Sequence, residues 1–197
     1  MNERLQQQLD FLMEIDALKS VNRMTLITDR SRRENTAEHS WHLAMFALVL
    51  AEHANDDVDL FHVLSLCLVH DIVEIDAGDT FAYDTSGYTD KDEREQRAAD
   101  RLFGLLPADQ SARFRALWEE YEAMETPESR FANAVDRMQP AMLNHMVGDL
   151  STWREHNISR PQAVKRLSPI GHGSERLWQH TLEVIDEAVR RGNLTEE

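Results

Sequence analysis

An all-α fold follows from three observations on the chain. Apolar residues recur three and four apart almost throughout, few segments alternate at period two, and helix-start signals punctuate the polar stretches. A first helix is expected over about 3–19, with Leu5, Leu9, Leu12 and Ile15 on one face. The stretch from Val21 to Glu34 is polar and arginine-rich, and reads as a loop or short turns. Asn35 with Glu38 three residues on has the pattern of a capping box, in which each side chain satisfies a free backbone donor. It opens a helix over about 36–54 that places His39, Leu43, Phe46, Ala47 and Leu50 on one stripe.

A third helix, about 58–75, is apolar nearly all round and reads as the central, buried one. A loop follows from Gly78 to Thr89, and then two amphipathic helices, about 90–105 and 109–124, separated by Pro107. Thr126-Pro127-Glu128 supplies a cap, a proline at the first helical position and an acid in the first turn. The helix it starts carries Phe131, Val135, Met138 and Met142, and also Asp136 and Pro140. Pro140 cannot donate to the carbonyl of Asp136, so a kink is expected just after that residue. A short helix near 161–167 and a last one near 174–191, stopped by Gly192, end the chain.

At 197 residues, one domain over 1–197 with a substantial core is expected. An apolar content of 42% with 29% charged residues fits a folded protein of the aqueous phase. The start is polar and acidic, so no signal peptide is expected, and no apolar run approaches a membrane span. The single cysteine, Cys67, cannot close an internal disulfide, which points to a reducing, cytoplasmic setting. A formal charge of −15 argues against a nucleic-acid polymer as partner, because such binding draws on clustered cations. A small anion is still admissible where a metal and one or two arginines set the local field.

The chemistry concentrates in Cys67-Leu68-Val69-His70-Asp71-Ile72-Val73-Glu74, where an apolar run ends in three titratable residues. His39 lies upstream and Asp136 downstream, so three helices offer two imidazoles and two aspartates to one divalent ion. Four protein ligands on a six-coordinate ion leave two places for water and a phosphate oxygen. Two ionised aspartates cancel the ion's charge, which makes its burial feasible. Mn²⁺, Co²⁺, Fe²⁺, Mg²⁺ and Zn²⁺ all suit that donor set. Glu74, one turn beyond His70, is placed to take a proton from the water. A His-Asp dipeptide alone has no weight: nine His and seventeen Asp predict about 0.8 by chance. A hydrogen-bonded or ion-paired structural network of the same residues therefore stands as the alternative. His42, His53, His62, His145, His156, His172 and His180 read as surface or rim residues.

Over about residues 10–150 the chain resembles the HD-domain superfamily of metal-dependent phosphohydrolases, and within it the 5′-deoxynucleotidase branch. The likeness rests on three segments: Arg32-Arg33-Glu34-Asn35-Thr36-Ala37-Glu38-His39-Ser40, His70-Asp71-Ile72-Val73-Glu74 with Gly78-Asp79, and Val135-Asp136-Arg137-Met138-Gln139. The resemblance implies an HD-type helical bundle with a central metal site, the helices of 151–197 packed on it, and a homodimer. It implies His39, His70, Asp71 and Asp136 as metal ligands, Glu74 as the catalytic glutamate, and Asp79 as a substrate-contacting aspartate. Arg23 matches the first member of the family's Arg-Trp pair, which helps to hold the nucleotide. Met24 stands where that tryptophan would be, and a thioether offers neither a flat face nor an N–H donor, so sugar preference does not carry over. The acids of Ile75–Asp84 disfavour a triphosphate, so hydrolysis of a 5′-(deoxy)nucleoside monophosphate is expected. Another phosphate ester or phosphodiester, a non-catalytic nucleotide- or metal-binding module, and an acidic interaction protein are the alternatives.

Overall fold

The computed structural model of the chain describes residues 2–84 and 87–197. The expected domain over 1–197 and the expected loop at 78–89 therefore include positions 1, 85 and 86, which lie outside the described residues. Helix α1 (Glu3–Glu14) starts on Asn2, whose side chain accepts from the Arg4 N–H at 3.1 Å. Its expected continuation tightens into a 3₁₀ segment, Ile15–Ser20. The expected apolar face is corrected too: Leu5, Leu9 and Leu12 are exposed. Phe11 is the buried anchor, packed edge-on to Phe114 with ring centroids 5.4 Å apart, because the larger ring buries more apolar area.

The stretch expected as a loop is an antiparallel hairpin of β1 (Asn22–Leu26) and β2 (Arg33–Asn35), with Asn22 opposite Asn35 and Leu26 opposite Arg33. Its buried side chains are Thr25 and Glu34, so the alternation of burial leaves no alternation of hydropathy. The Arg33 guanidinium donates to the Met24 carbonyl across the hairpin. α2 (Thr36–Leu50) then starts on the expected box: Glu38 N–H donates to Asn35 Oδ1 at 2.9 Å, and Asn35 N–H to Glu38 Oε2 at 3.4 Å.

The helix expected over 58–75 is three pieces. α3 (Leu60–Val69) starts on Asp59, a 3₁₀ turn covers His70–Val73, and α4 (Glu74–Ala77) ends at Gly78. Only one side of α3 is buried, through Val63, Leu66 and Cys67; Phe61 and Leu68 are exposed, which corrects the reading of a helix buried all round. α5 (Lys91–Phe103) and α6 (Ala108–Ala123) follow. α7 (Pro127–Val147) starts on Thr126 as expected and runs through Pro140 as one helix. It is the axis of the molecule, with Phe131, Ala132, Ala134, Val135 and Val147 fully buried against α2, α3, α6 and the C-terminal helices.

The C-terminal part contains α8 (Thr152–Glu155), α9 (Arg160–Leu167), α10 (Ile170–Gly173) and α11 (Glu175–Arg190). α8 and α10 were not foreseen, because four residues cannot show a helical period. α10 packs directly on the backbone of α7: a Cβ at Gly173 would lie 2.3 Å from the Arg130 carbonyl oxygen. All-α architecture is borne out, with the hairpin as its only sheet among the described residues. No helix among them is long and apolar enough to cross a membrane.

Candidate metal centre

Three helical elements meet where the sequence places its titratable residues. α2 brings His39, the 3₁₀ turn brings His70 and Asp71, and α7 brings Asp136. The donor atoms of His39, His70 and Asp136 lie within 4.8 Å of one another. His39 Nε2 is 2.9 Å from Asp136 Oδ1, and His70 Nε2 is 3.8 Å from the same oxygen. Asp71 joins the group with Oδ1 at 2.9 Å from His70 Nε2 and Oδ2 at 3.7 Å from His39 Nε2. Both imidazoles are buried, so none of this is a chance meeting of solvated charges.

The outer ring nitrogens decide what the inner ones can do. His70 Nδ1 donates to the Cys67 carbonyl at 2.9 Å, and His39 Nδ1 donates to Gln139 Oε1 at 3.1 Å. With Nδ1 protonated, a neutral imidazole presents a bare lone pair at Nε2. Each lone pair then faces a carboxylate oxygen 2.9 Å away, an arrangement that needs a cation or a second proton between them. Buried His70 Nε2 has no hydrogen-bond partner among the described residues. These residues fit a divalent cation: His39, His70 and Asp136 give two nitrogen donors and one oxygen donor within 4.8 Å of one another, and Asp71 adds a second carboxylate beside the imidazoles.

The protonation pattern without a metal has the same cause. Burial and Arg23 push His39 down, but its hydrogen bond to Asp136 and the Glu34 carboxylate 3.6 Å away carry it up to about 9. Burial would raise Asp71 and Asp136, yet His70 and His39 respectively hold them below the usual carboxylate range. Glu74 goes the other way: burial and the Asp71 charge raise it well above the usual value. Thr36 Oγ1 donates to Glu74 Oε2 at 3.0 Å, which fixes one carboxylate oxygen.

Arg23, from β1, donates from Nη1 to Asp71 Oδ2 at 3.1 Å and lies 3.8 Å from Asp79 Oδ1. Burial alone would lower its pKa, but Asp71 and Asp79 hold it above the ordinary value. Asp79 follows Gly78, whose φ of +75° turns the chain back to the site at the end of α4. Burial raises Asp79 above the usual carboxylate range. Asp76 is a correction: it pairs with Arg101 at 2.7 Å on the outside, so it does not charge the site against a triphosphate.

A cavity of about 310 Å³ opens on this cluster. Arg23, Met24, His70, Asp71, Glu74, Asp79 and Asp136 line one end, whereas Phe81, Tyr83, Tyr88 and Trp153 give it an aromatic wall. Sequence reasoning missed a second ring of residues. Gln139 links His39 to Glu34 through an Nε2–H bond of 2.8 Å and reaches His42 Nδ1 at 3.1 Å. His42 is thus a rim residue tied to the interior. Glu34, Thr36 and Gln139 all lie in or beside the motifs, and their polar character at buried places was the available signal. Arg137 and Arg166 also line the cavity, and for Arg166 the sequence carried no signal.

Comparison with known proteins agrees with this geometry. A family model described as an HD domain matches residues 15–178. The chain is 30% identical over 173 residues to the human (Homo sapiens) protein named 5′-deoxynucleotidase HDDC2, covering 82% of this chain and 83% of that protein. The protein of the same name from Bos taurus is 33% identical over 133 residues, which cover 66% of this chain and 63%, just under two thirds, of the relative. A solved structure from Magnetospirillum magnetotacticum, described as a predicted metal-dependent phosphohydrolase, is 53% identical with a TM-score of 0.92, covering 97% of this chain and 95% of that one. A chain from Pyrococcus horikoshii shares the fold alone, at 20% identity and a TM-score of 0.65, covering 93% of this chain and 99% of its own.

Proposed function

Since this chain belongs to the HD-domain family, we propose that it is a metal-dependent phosphohydrolase acting on 5′-(deoxy)nucleoside monophosphates. The carrying observation is the pair of Nε2 lone pairs, each committed by its own Nδ1–H bond and each 2.9 Å from a carboxylate, with Glu74 beside them. His39, His70, Asp71 and Asp136 are assigned as metal ligands. A bound divalent ion supplies charge neutralisation and a lowered pKa for water. Its identity among Mn, Co, Fe, Mg and Zn is left to metal analysis.

The remaining work belongs to side chains. Glu74, with Oε2 held by Thr36, accepts the proton that the attacking water loses as its oxygen bonds to phosphorus. The P–O ester bond breaks, and the departing 5′-oxygen takes up a proton, giving nucleoside and inorganic phosphate. Asp79 has its carboxyl within the cavity and a raised pKa, which suits it to orient the sugar or protonate the leaving oxygen. Arg23 holds Asp71 and Asp79 in place and lines the cavity where the phosphate or sugar side of the substrate would lie. The 5′-deoxynucleotidase names of the relatives support the substrate class.

A homodimer and a cytoplasmic setting go with this reading. Trp41, Met45, Leu48 and Val49 form an exposed apolar stripe on α2, and Phe61 and Leu68 are exposed on α3, which packs against α2. Cys67, the sole cysteine, is a buried thiol. The direct test is phosphate release from a panel of ribo- and deoxyribonucleoside 5′-monophosphates with Mn²⁺ or Co²⁺. Asp71→Ala is expected to abolish release; release unaffected by that change sinks the mechanism.

A further inference from the structure

Resting on that reading, the geometry points to a second recognition element in the same cavity: Arg137 and Arg166 form the clamp that grips the phosphoryl group of the substrate. Arg23 is poorly free for that task, since Asp71, Asp79 and Glu34 lie 3.1, 3.8 and 4.0 Å from its nitrogens. Arg137 and Arg166 differ from it. Both line the cavity and are partly buried, and neither has a carboxylate partner among the described residues. Arg137 Nη1 donates to the Arg166 carbonyl oxygen at 3.2 Å, and its buried Nε has no partner. In a chain of net charge −15, two adjacent guanidinium groups without counter-ions are an exception that needs a ligand.

Charge balance names the ligand. Around the metal cluster, Asp71, Glu74, Asp79 and Asp136 carry four negative charges when ionised, against three positive ones from a divalent ion and Arg23, and Asp92, Glu95 and Glu122 add further acid along the cavity. A phosphomonoester dianion cannot enter such a place without further cations. Arg137 and Arg166 provide two, in the planar donor geometry that matches phosphate oxygens. The remaining cavity cation, Lys91, is taken by Glu95 at 2.7 Å. Placement agrees: Asp136 and Arg137 are consecutive on α7, so one helix presents a ligand toward α2 and a cation toward α9.

The test titrates inorganic phosphate into the metal-loaded protein by calorimetry and measures KM for a 5′-deoxynucleoside monophosphate. Arg166→Gln and Arg137→Gln are each expected to weaken phosphate binding and raise KM by roughly tenfold to a hundredfold. Metal stoichiometry and affinity for the uncharged nucleoside should stay unchanged, and Arg166→Lys should recover part of the loss. Arg166→Gln decides the matter if Arg137→Gln fails to fold, because the Arg166 side chain makes no hydrogen bond or ion pair among the described residues. Phosphate affinity and KM equal to wild type in Arg166→Gln overturn the clamp. Weakened phosphate binding in a protein that turns over no monophosphate supports the clamp and overturns the substrate reading instead.

Discussion

His70 is held by its Nδ1–H on the Cys67 carbonyl, which leaves its Nε2 2.9 Å from Asp71 Oδ1 and without a hydrogen bond. His39 is fixed in the same manner by Gln139. Metal binding must therefore displace protons, not rotate rings. In the metal-free protein His39 sits at about 9, raised above its ordinary 6.5. A raised pKa means that the stability it contributes is full below 6.5 and is lost as pH rises through about 9. Metal affinity should rise over the same window, with about one proton released from His39 per ion near neutral pH. Calorimetry in buffers of different ionisation enthalpy checks this, and metal uptake without proton release contradicts it. Glu74→Gln keeps the size of the side chain and removes the proton acceptor. It should lower kcat by about 10²–10⁴ with metal content unchanged, as read by metal analysis beside the rate. His39, His70, Asp71, Asp136 and Glu74 were legible because titratable residues ending apolar stripes need a partner. Arg166 was not, since an arginine that lines a cavity and one that is solvated look alike in sequence, and Gln139 was legible only as part of its motif.

The elements aim these side chains, and two glycines show how. Gly78 adopts φ +75° and ψ 149°, a region open only to glycine, while a Cβ there would meet nothing within 4 Å. Gly78→Ala should therefore cost about 1–3 kcal/mol through backbone strain alone. Because the turn carries Asp79, the variant should also lose activity out of proportion to its thermal midpoint. Gly173 is the opposite case: its backbone dihedrals are ordinary, but Arg130 leaves no room for a methyl group. Gly173→Ala should push α10 off α7 and cost about 1–3 kcal/mol or more, measurable by denaturant unfolding, with kcat preserved in the folded fraction. The long elements were readable from apolar spacing and caps. The break at His70 was not, because a 3₁₀ turn leaves the apolar pattern of 58–75 intact while it turns His70 and Asp71 toward each other. The hairpin escaped for a related reason: Thr25 and Glu34 are buried polar residues, and hydropathy does not register them.

For the whole molecule, the exposed stripe of α2 and α3 is the feature that a monomer does not need. Trp41 is 64% and Phe61 71% exposed, and both are large apolar groups. Wild type is expected to sediment as a dimer, and Trp41→Glu with Leu48→Glu as a monomer; a dimer that persists in the double variant excludes this face. A net charge of −15 adds a self-repulsion that salt screens, so thermal midpoints should rise with ionic strength before they level off. Cys67 has a consequence of a practical kind. Its sulfur is buried, and burial with the nearby Asp136 raises the thiol far above its ordinary pKa, so it stays protonated and out of reach of alkylating reagents. Any cysteine introduced on the surface is then the sole reactive handle on the chain. Met13→Cys, on exposed α1 and outside the α2–α3 stripe, would accept one spin label per copy, and the distance between two such labels would report the geometry of the pair in solution.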